Sequence, residues 1–236
     1  MSDIEVSLVF PAYNEAKGIG RAVEAALAEL RKESTSFEII IAEDGSNDGT
    51  SGEADRLAAT HPEVLHLHSF ERLGRGKALN IAFKKSKGSI LIYMDVDLAS
   101  DITQLRTLID SIKGGADLAT GSRMIPGSRV KRSFRRKFAS WWYNALIRIL
   151  FRTPVHDHQC GFKAFKRESL MKYIDEVEDT HWFWDTEVLI RAARRGLNIV
   201  EIPVEWSEGP GTKVKILRDS YRMGSKAIHL WWSMRG

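Results

Sequence analysis

Two aspartates two residues apart are the strongest sign of chemistry in this 236-residue sequence. Asp95 and Asp97 follow an apolar run at residues 89–94 that has the length of a buried strand. In an extended segment, residues two apart point the same way, so both carboxylates can contact one ligand. Because no cysteine or histidine adjoins them, they favour a hard cation, Mg²⁺ or Mn²⁺, that keeps open positions for phosphate oxygens. A pair of acids that shares a proton is the alternative.

Polar and acidic residues also follow the two earliest apolar runs. Residues 11–15 read PAYNE after the first run, and residues 43–50 read EDGSNDGT after the second. Taken singly, such residues often only cap helices or make turns. Because ligands of open α/β sheets bind at the carboxyl ends of the strands, the set as a whole predicts a binding edge rich in carboxylates.

Two further motifs do not match the signatures that they suggest. The GRGK stretch at residues 74–77 lacks the earlier glycine and the Ser/Thr of a phosphate-binding P-loop. Residues 72–77 are still a candidate cationic cover for a phosphate-bearing ligand. The HDHQC stretch at residues 156–160 lacks the second ligand pair of a structural zinc site, although His158 could complete a metal shell with Asp95 and Asp97.

The elements that position these residues alternate between strand and helix. Strand-sized apolar runs at 6–10, 37–42, 64–68, 89–94 and 117–119 are separated by helical patterns at 15–31, 50–59, 77–85 and 102–112. This order predicts an α/β fold, with a Rossmann-like, mainly parallel sheet flanked by helices. We expect one domain over residues 1–212, in which 122–152 form a basic linker and an amphipathic helix, followed by an interfacial helix at 213–236.

Positive charge is concentrated in two segments, although the net charge is only +4. Residues 122–156 contain nine Lys/Arg and no acid, and residues 213–236 contain six Lys/Arg and one acid. The rest of the chain is therefore acidic, which predicts an anionic partner at one surface. The single cysteine excludes an intrachain disulfide, and the longest apolar stretch, residues 138–151, is too short to cross a bilayer.

The two basic segments also carry paired tryptophans. Residues 134–151 and 213–236 combine basic side chains with Trp and other apolar residues at helical spacing, which suits the headgroup region of an anionic bilayer. The alternative is that both are core helices with solvated basic edges. The sequence leaves both interpretations open for 134–151 and favours the membrane for 213–236.

Seven motifs in order resemble those of the family 2 glycosyltransferases of GT-A fold. They are PAYNE (11–15), EDGSNDGT (43–50), RLGRGKALN (72–80), MDVDLASD (94–101), GSR (121–123), HQCGFKAF (158–165) and WFWDTEV (182–188). The set is most similar to the dolichyl-phosphate mannose and dolichyl-phosphate glucose synthases. The resemblance implies a metal-dependent, inverting transfer of a hexose from GDP-mannose or UDP-glucose to dolichyl or polyprenyl phosphate, on the cytoplasmic face of a membrane. Mannose is the weakly favoured sugar.

The resemblance also assigns roles to particular residues. It implies that Asp95 and Asp97 hold the cation and the donor diphosphate, and that the base and ribose are contacted by Pro11, Tyr13, Glu15 and Asp44. Lys77 of the cationic loop joins the donor side. The candidates for the acceptor side are Arg123, Arg135, Arg136 and Lys213, and the catalytic candidates are Asp97, Arg123, Arg136 and Asp185. Ala99 departs from the mannose synthases, which often have a polar metal ligand at that position.

The chemistry of the acceptor bears on the role of Asp185. A phosphate monoester is already anionic at neutral pH, so it needs positioning rather than a strong general base. Asp185 is accordingly expected to orient other groups. A saccharide acceptor, with Asp185 as its essential base, is the first alternative. A non-catalytic module that binds a nucleotide or nucleic acid is the second. Carboxylates at three strand ends would repel nucleic acid, so we expect no nucleic-acid partner.

Overall fold

The structure is a computed structural model that describes residues 4–33, 35–207 and 216–234, with side chains of the last helix from residue 222 onwards. Nine strands lie within these residues. They are β1 (Val6–Ala12), β2 (Phe37–Asp44), β3 (Val64–Ser69), β4 (Ile90–Met94), β5 (Leu118–Ser122), β6 (Arg129–Lys131), β7 (Phe162–Lys166), β8 (Ile199–Pro203) and β9 (Glu205–Ser207).

Eight α-helices connect or follow the strands in the described part of the chain. They are α1 (Ile19–Lys32), α2 (Thr50–Thr60), α3 (Arg75–Lys85), α4 (Leu105–Lys113), α5 (Phe134–Phe151), α6 (Arg167–Met171), α7 (Trp184–Arg194) and α8 (Ile216–Ser233). Short 3₁₀ turns occur at Ile102–Gln104 and Ile174–Glu176.

Seven of the strands form one twisted sheet in the order β3-β2-β1-β4-β7-β5-β8. All neighbouring pairs are parallel except those of β7, which runs antiparallel to both β4 and β5. The predicted α/β fold with a mainly parallel sheet is confirmed. Because strand order reverses between β1 and β4, the carboxyl ends of β1, β2 and β4 face one crevice, as the rule for open α/β sheets requires.

The strands that were predicted from apolar runs are buried on both faces, because helices cover both sides of the sheet. On one face, β1, β2 and β4 pack against α1, α2 and α4, and on the other they pack against α3 and α7. The strand boundaries follow the sequence prediction within a few residues. The first helix starts at Ile19 rather than at residue 15, because the Glu15 backbone N–H donates to Thr50 Oγ1 at 2.8 Å and the chain turns before the helix begins.

The basic segment at 122–133 is more ordered than a linker. It contains β6, which pairs in parallel with β9, and Val130 lies opposite Trp206 in this small second sheet. The two added strands hold the start of α5 beside the carboxyl edge of the main sheet. This pairing had no signal in the sequence pattern, since β6 and β9 are three residues long and mostly polar.

Helices α5, α7 and α8 share a third apolar cluster. Met223, Ala227 and Leu230 of α8 pack with Tyr143 and Ile147 of α5, with Ile190 of α7 and with Phe183, which directly precedes α7. Among the described residues, no helix is both long and apolar enough to cross a bilayer. The division at residue 212 falls in the segment 208–215, which lies outside the described residues.

Candidate functional site

Asp95 and Asp97 line one narrow cleft beyond the end of β4. The other lining residues are Met94, Ala99, Ser100, Gly161 and Trp206. The expectation that the two aspartates converge by strand alternation is wrong, because β4 ends at Met94. The Leu98 N–H bonds the Asp95 carbonyl at 3.2 Å, and Leu98 has a left-handed φ of 53°. A tight turn therefore presents both carboxylates.

The electrostatics of the cleft fit a bound cation. Partial desolvation, with the neighbouring charges of Asp95 and Glu15, raises the pKa of Asp97, although the Ala99 N–H donates to its Oδ1 at 3.0 Å. Like charges this close disfavour one another in the absence of a cation. The donor set consists of carboxylate oxygens without sulfur, which is the chemistry that Mg²⁺ or Mn²⁺ prefers. Ala99 also lines the cleft but has no side-chain atom that could coordinate a metal. A cation held by Asp95 and Asp97 would therefore take no ligand from the side chain at position 99.

Arg75 joins the two acidic parts of the site. Its Nη2 lies 2.7 Å from Asp95 Oδ1, and its Nη1 lies 2.6 Å from Asp185 Oδ2. The guanidinium also lies over the rings of Tyr93 and Trp182, at 5.0 Å and 5.3 Å. Arg75 is the first residue of α3, and it can reach this position because Gly74 and Gly76 allow the loop to approach residues 179–184 closely.

A buried network holds Asp185 from below. Lys163 Nζ lies 2.7 Å from Asp185 Oδ1, and the Tyr93 hydroxyl donates to the same oxygen. Tyr93 and Lys163 are opposite each other in the antiparallel pair β4–β7, so the sheet itself sets their distance. Burial lowers the pKa of Lys163 to about 7 and raises the pKa of Asp185 to about 6, the latter opposed by Arg75. Both carboxylate oxygens of Asp185 therefore accept hydrogen bonds from buried or partly buried groups.

Gly161 leaves the space that the Asp95 carboxylate occupies. A Cβ at this position would overlap Asp95 Oδ2 and lie 3.1 Å from Arg75 Nη2. We therefore expect Gly161→Ala to displace Asp95 and to slow a reaction that depends on this carboxylate by about 10²-fold, the effect of a misplacement of roughly 1 Å. Steady-state kinetics would measure the change in rate. Gly52→Ala in α2, where a Cβ has no neighbour within 4 Å, is the matched control, and equal rates for both variants would contradict the prediction.

The residues predicted to contact the nucleotide lie at the ends of β1 and β2. Asp44 is buried and accepts backbone hydrogen bonds from Leu73 N at 2.6 Å and Gly74 N at 2.9 Å. Arg72 lies over the Tyr13 ring, 3.8 Å from its centroid. Pro11 lies opposite Ala42 near the end of the β1–β2 pair, and the charge of Glu15 helps to raise the pKa of Asp97. Asp44 thus ties the cationic loop to the edge where a nucleotide would sit.

Arg123 forms a buried ion pair with Asp157. Nε and Nη2 lie 2.7 Å and 2.9 Å from the two carboxylate oxygens, and the Arg123 backbone N–H donates to Asp157 at 3.0 Å. The pairing holds the pKa of Asp157 well below its usual range. Arg123 also lies 5.5 Å over Trp206, as does Arg132. A phosphate contact from Arg123 would therefore use Nη1 or would displace Asp157.

His158 is buried away from the cleft and is not among the residues that line it. Its Nδ1 and backbone N–H both donate to Asn144 Oδ1 at 2.8 Å. Burial lowers the pKa of His158 to about 3, so the ring stays neutral in the folded protein.

We expect His158→Gln to make the protein less sensitive to acid. The unfolded chain binds a proton at His158 below its ordinary pKa of 6.5, whereas the folded chain does so only near 3. Stability is therefore lost as the pH falls from about 6.5 towards 3, and this one group accounts for about 2 kcal/mol between pH 7 and pH 5. Urea unfolding at both pH values would show the difference. Identical losses for wild type and variant would exclude the assignment.

The remaining predicted site residues are less closely associated with the cleft. Lys77 is exposed on α3, and the side chain of its loop that reaches the carboxylates is Arg75. Arg135 is exposed and Arg136 half-buried in the first turn of α5. Lys213 lies outside the described residues.

Sequence reasoning missed four residues that build the site: Arg75, Tyr93, Lys163 and Gly161. Lys163 carried a signal, because a lysine inside the apolar run FKAF has to find a buried partner. Arg75 lies in the loop 72–77, which the sequence marks as cationic, but nothing local points it at the carboxylates, and Tyr93 and Gly161 have ordinary local contexts. Arg75 and Asp185 are 110 residues apart in the chain, so no local pattern connects them.

The mainly parallel sheet flanked by helices is the fold of solved GT-A glycosyltransferases. The sequence profile of glycosyl transferase family 2 matches residues 7–174. The chain belongs to this family.

Known proteins resemble the chain at several levels. It is 46% identical to "Glycosyltransferase AglD" of Haloferax volcanii over 98% of its own length but only 38% of the length of that relative. It is 33% identical to "Dolichyl-phosphate beta-glucosyltransferase ALG5A" of Trichomonas vaginalis, over 91% of this chain and 69% of the relative. One similar solved structure is that of glucosyl-3-phosphoglycerate synthase of Mycobacterium tuberculosis in complex with Mn²⁺ and UDP. The two structures superpose with a TM-score of 0.68 over 95% of this chain and 77% of the synthase chain, and their sequences are 18% identical.

Proposed function

We propose that this chain transfers a hexose, with inversion, from GDP-mannose or UDP-glucose to a dolichyl-type polyprenyl phosphate. One observation carries the proposal: the carboxylate cleft adjoins a pair of arginines, and one of them contacts α5, the helix whose opposite face exposes aromatic residues. The name of the T. vaginalis relative supports the lipid phosphate acceptor, and the Mn²⁺ and UDP of the mycobacterial structure support the donor and the metal.

Trp206 and two arginines connect the aspartate cleft to α5. Trp206 lines the cleft with Asp95 and Asp97, and the guanidinium groups of Arg123 and Arg132 lie over its ring. Arg132 Nη1 donates to Ser140 Oγ of α5 at 2.9 Å. An anionic headgroup at these arginines would lie between the donor site and the helix, where cations offset the crowding of two anions.

Helix α5 exposes an apolar face. Its buried face consists of Ser140, Tyr143, Asn144 and Ile147, so the bulky apolar residues face outwards: Phe134, Phe138, Trp141, Trp142 and Ile149. Phe134 is 81% exposed and Ile149 is 76% exposed. A contiguous apolar patch of this kind marks a binding surface, and basic residues with tryptophan suit a bilayer interface. Arg135 and Lys137 are exposed beside it.

The reaction follows from these groups. An oxygen of the acceptor phosphate attacks the anomeric carbon of the sugar, and the bond from that carbon to the donor diphosphate breaks. A divalent cation held by Asp95 and Asp97 would neutralise charge on the departing nucleoside diphosphate. No proton has to leave the nucleophile, which agrees with an Asp185 engaged by Arg75, Lys163 and Tyr93. That engagement counts against the saccharide acceptor, which would need Asp185 as a base.

We further propose that the protein binds to the cytoplasmic leaflet through α5 and residues 213–236. Within the described part of α8, Ile228 and Trp232 are exposed on the side that α5 and α7 leave open. Arg222 and His229 are exposed as well, whereas Lys226 pairs with Asp179.

Replacing both Trp141 and Trp142 with alanine is expected to weaken binding to anionic vesicles by more than tenfold. Each tryptophan that becomes buried in the bilayer interface contributes roughly 1–3 kcal/mol to the binding free energy. Sedimentation with phosphatidylcholine and phosphatidylserine vesicles would measure this. Phe70→Ala, which removes an aromatic ring that is 94% exposed, against 57% for each tryptophan, and that lies outside this surface, is the control. Unchanged binding of the double variant would contradict the membrane proposal.

An assay of the purified chain tests the function directly. GDP-mannose and UDP-glucose are supplied separately, each with a short polyprenyl phosphate and Mn²⁺ or Mg²⁺, and the product is sought as a charged glycolipid. We expect product with one donor and none without the lipid phosphate. Transfer to free saccharides in place of the lipid would favour the alternative acceptor, and failure with both donors would reject the proposal.

A further inference from the structure

Two histidines and a glutamate come together on β2 and β3, away from the aspartate cleft. Glu43 lies opposite His68 in the parallel register, and His66 is two residues earlier on the same face of the sheet. One ligand atom from each of the three residues lies within 4.8 Å of the others. Strand β1 separates this cluster from β4, which carries Asp95 and Asp97.

His66 presents a buried nitrogen that has no hydrogen-bond partner among the described residues. Its side chain is only 8% exposed, its Nδ1 lies 2.7 Å from Asp55 Oδ1, and Nε2 is the unpartnered atom. Because the Asp55 carboxylate accepts from Nδ1–H, the lone pair of Nε2 remains available. A carboxylate that orients a histidine in this way is typical of metal-binding histidines.

Glu43 and His68 complete the set. The Glu43 side chain is fully buried, and its Oε2 lies 2.5 Å from His68 Nδ1. A buried carboxylate needs a compensating charge nearby. His68 is 35% exposed and leaves the cluster accessible from solvent. In the absence of metal, the proton on His68 Nδ1 bridges the two residues, and a bound metal would replace that proton and release it.

We propose that Glu43, His66 and His68 form a Zn²⁺ site separate from the aspartate cleft. Two imidazoles and one carboxylate are a zinc donor set, and water would take the fourth tetrahedral position. Glu43 directly precedes Asp44, whose carboxylate holds the backbone of Leu73 and Gly74. Bound zinc would therefore stiffen the edge of the sheet that anchors the loop leading to Arg75.

The test is a titration of the untagged, chelator-treated chain with Zn²⁺, in which calorimetry measures the heat of binding. The buffer contains excess Mg²⁺, which occupies sites that have only oxygen ligands. We expect one Zn²⁺ per chain. His68→Ala should weaken binding at least 100-fold, and Asp55→Asn should weaken it by about 10- to 100-fold through loss of the orienting carboxylate. His61→Ala, a histidine at the end of α2, and Asp97→Asn, in the other cleft, should leave the affinity unchanged.

Absence of binding to the wild-type chain would overturn the proposal, and so would binding that survives His68→Ala or disappears with Asp97→Asn. Cobalt gives a second readout that needs no variant. Co²⁺ bound by the wild-type chain should show the strong visible absorption of tetrahedral coordination and lose it on addition of Zn²⁺. A weak octahedral spectrum would count against these ligands.

Discussion

Asp97→Asn is expected to reduce glycosyl transfer by about 10³-fold or more while leaving the fold intact. Asp97 is exposed at the mouth of the cleft, so its replacement removes negative charge without opening a cavity in the core. The variant keeps an oxygen that can accept from the Ala99 N–H, which preserves the turn. Under the proposed mechanism, losing one of the two carboxylate ligands would weaken binding of the cation that offsets charge on the leaving group, an effect of several kcal/mol.

The measurement is turnover at saturating donor, together with Mn²⁺ binding by electron paramagnetic resonance. Both should fall in Asp97→Asn, and circular dichroism should stay unchanged. Asp110→Asn, on the exposed side of α4, removes the same charge elsewhere and should keep the wild-type rate. Turnover at an undiminished rate in Asp97→Asn would refute the metal assignment and also the alternative in which Asp95 and Asp97 share a proton.

Arg75→Met is expected to destabilise the protein by about 3–5 kcal/mol, the range for removing one partner from a buried ion pair. Arg75 uses Nε, Nη1 and Nη2 to contact Asp95 and Asp185, and its side chain is 12% exposed. Methionine keeps most of the volume but none of the charge. Asp185 would then retain only Lys163 and Tyr93 as partners, and Asp95 would face Asp97 without a cation.

Urea unfolding monitored by circular dichroism would give the free energy change. Lys85→Ala, an exposed lysine at the end of the same helix, should stay within about 0.5 kcal/mol of wild type. Adding Asp185→Asn to Arg75→Met should recover part of the lost stability, because the carboxylate left without its partner is then neutral. A single variant as stable as wild type would show that the Arg75 bridge contributes little.

The central strands of the fold could be predicted from local sequence patterns. The apolar runs that became β1, β2 and β4 are buried on both faces and contain few polar interruptions, so their identity as central strands was determined by hydrophobicity alone. The antiparallel β7 was not foreseeable in that way. Its direction depends on a chain that returns from α5, and FKAFK would form a strand in either direction.

The same division holds for the basic helices. The sequence of α5 allowed either a core helix or an interfacial one, because apolar residues occupy most of its circumference. Packing against α7 and α8 selects the face with Tyr143 and Ile147 for burial and leaves Trp141 and Trp142 outside. Which face is covered depends on neighbours far along the chain, and helical spacing does not encode them.

The sequence by itself determined the family, the alternation of strands and helices, and the pair of acids after β4, since each depends on residues that are close together in the chain. Tertiary structure alone decided that Arg75 bridges Asp95 to Asp185, that Lys163 lies opposite Tyr93, and that Glu43 meets two histidines. The physical reason is that these contacts depend on strand order, register and loop closure. The pairs Arg75–Asp95, Arg75–Asp185 and Lys163–Asp185 are 20 to 110 positions apart in the chain, yet their polar atoms lie less than 3 Å apart. Only the assembled sheet determines which residues meet in this way.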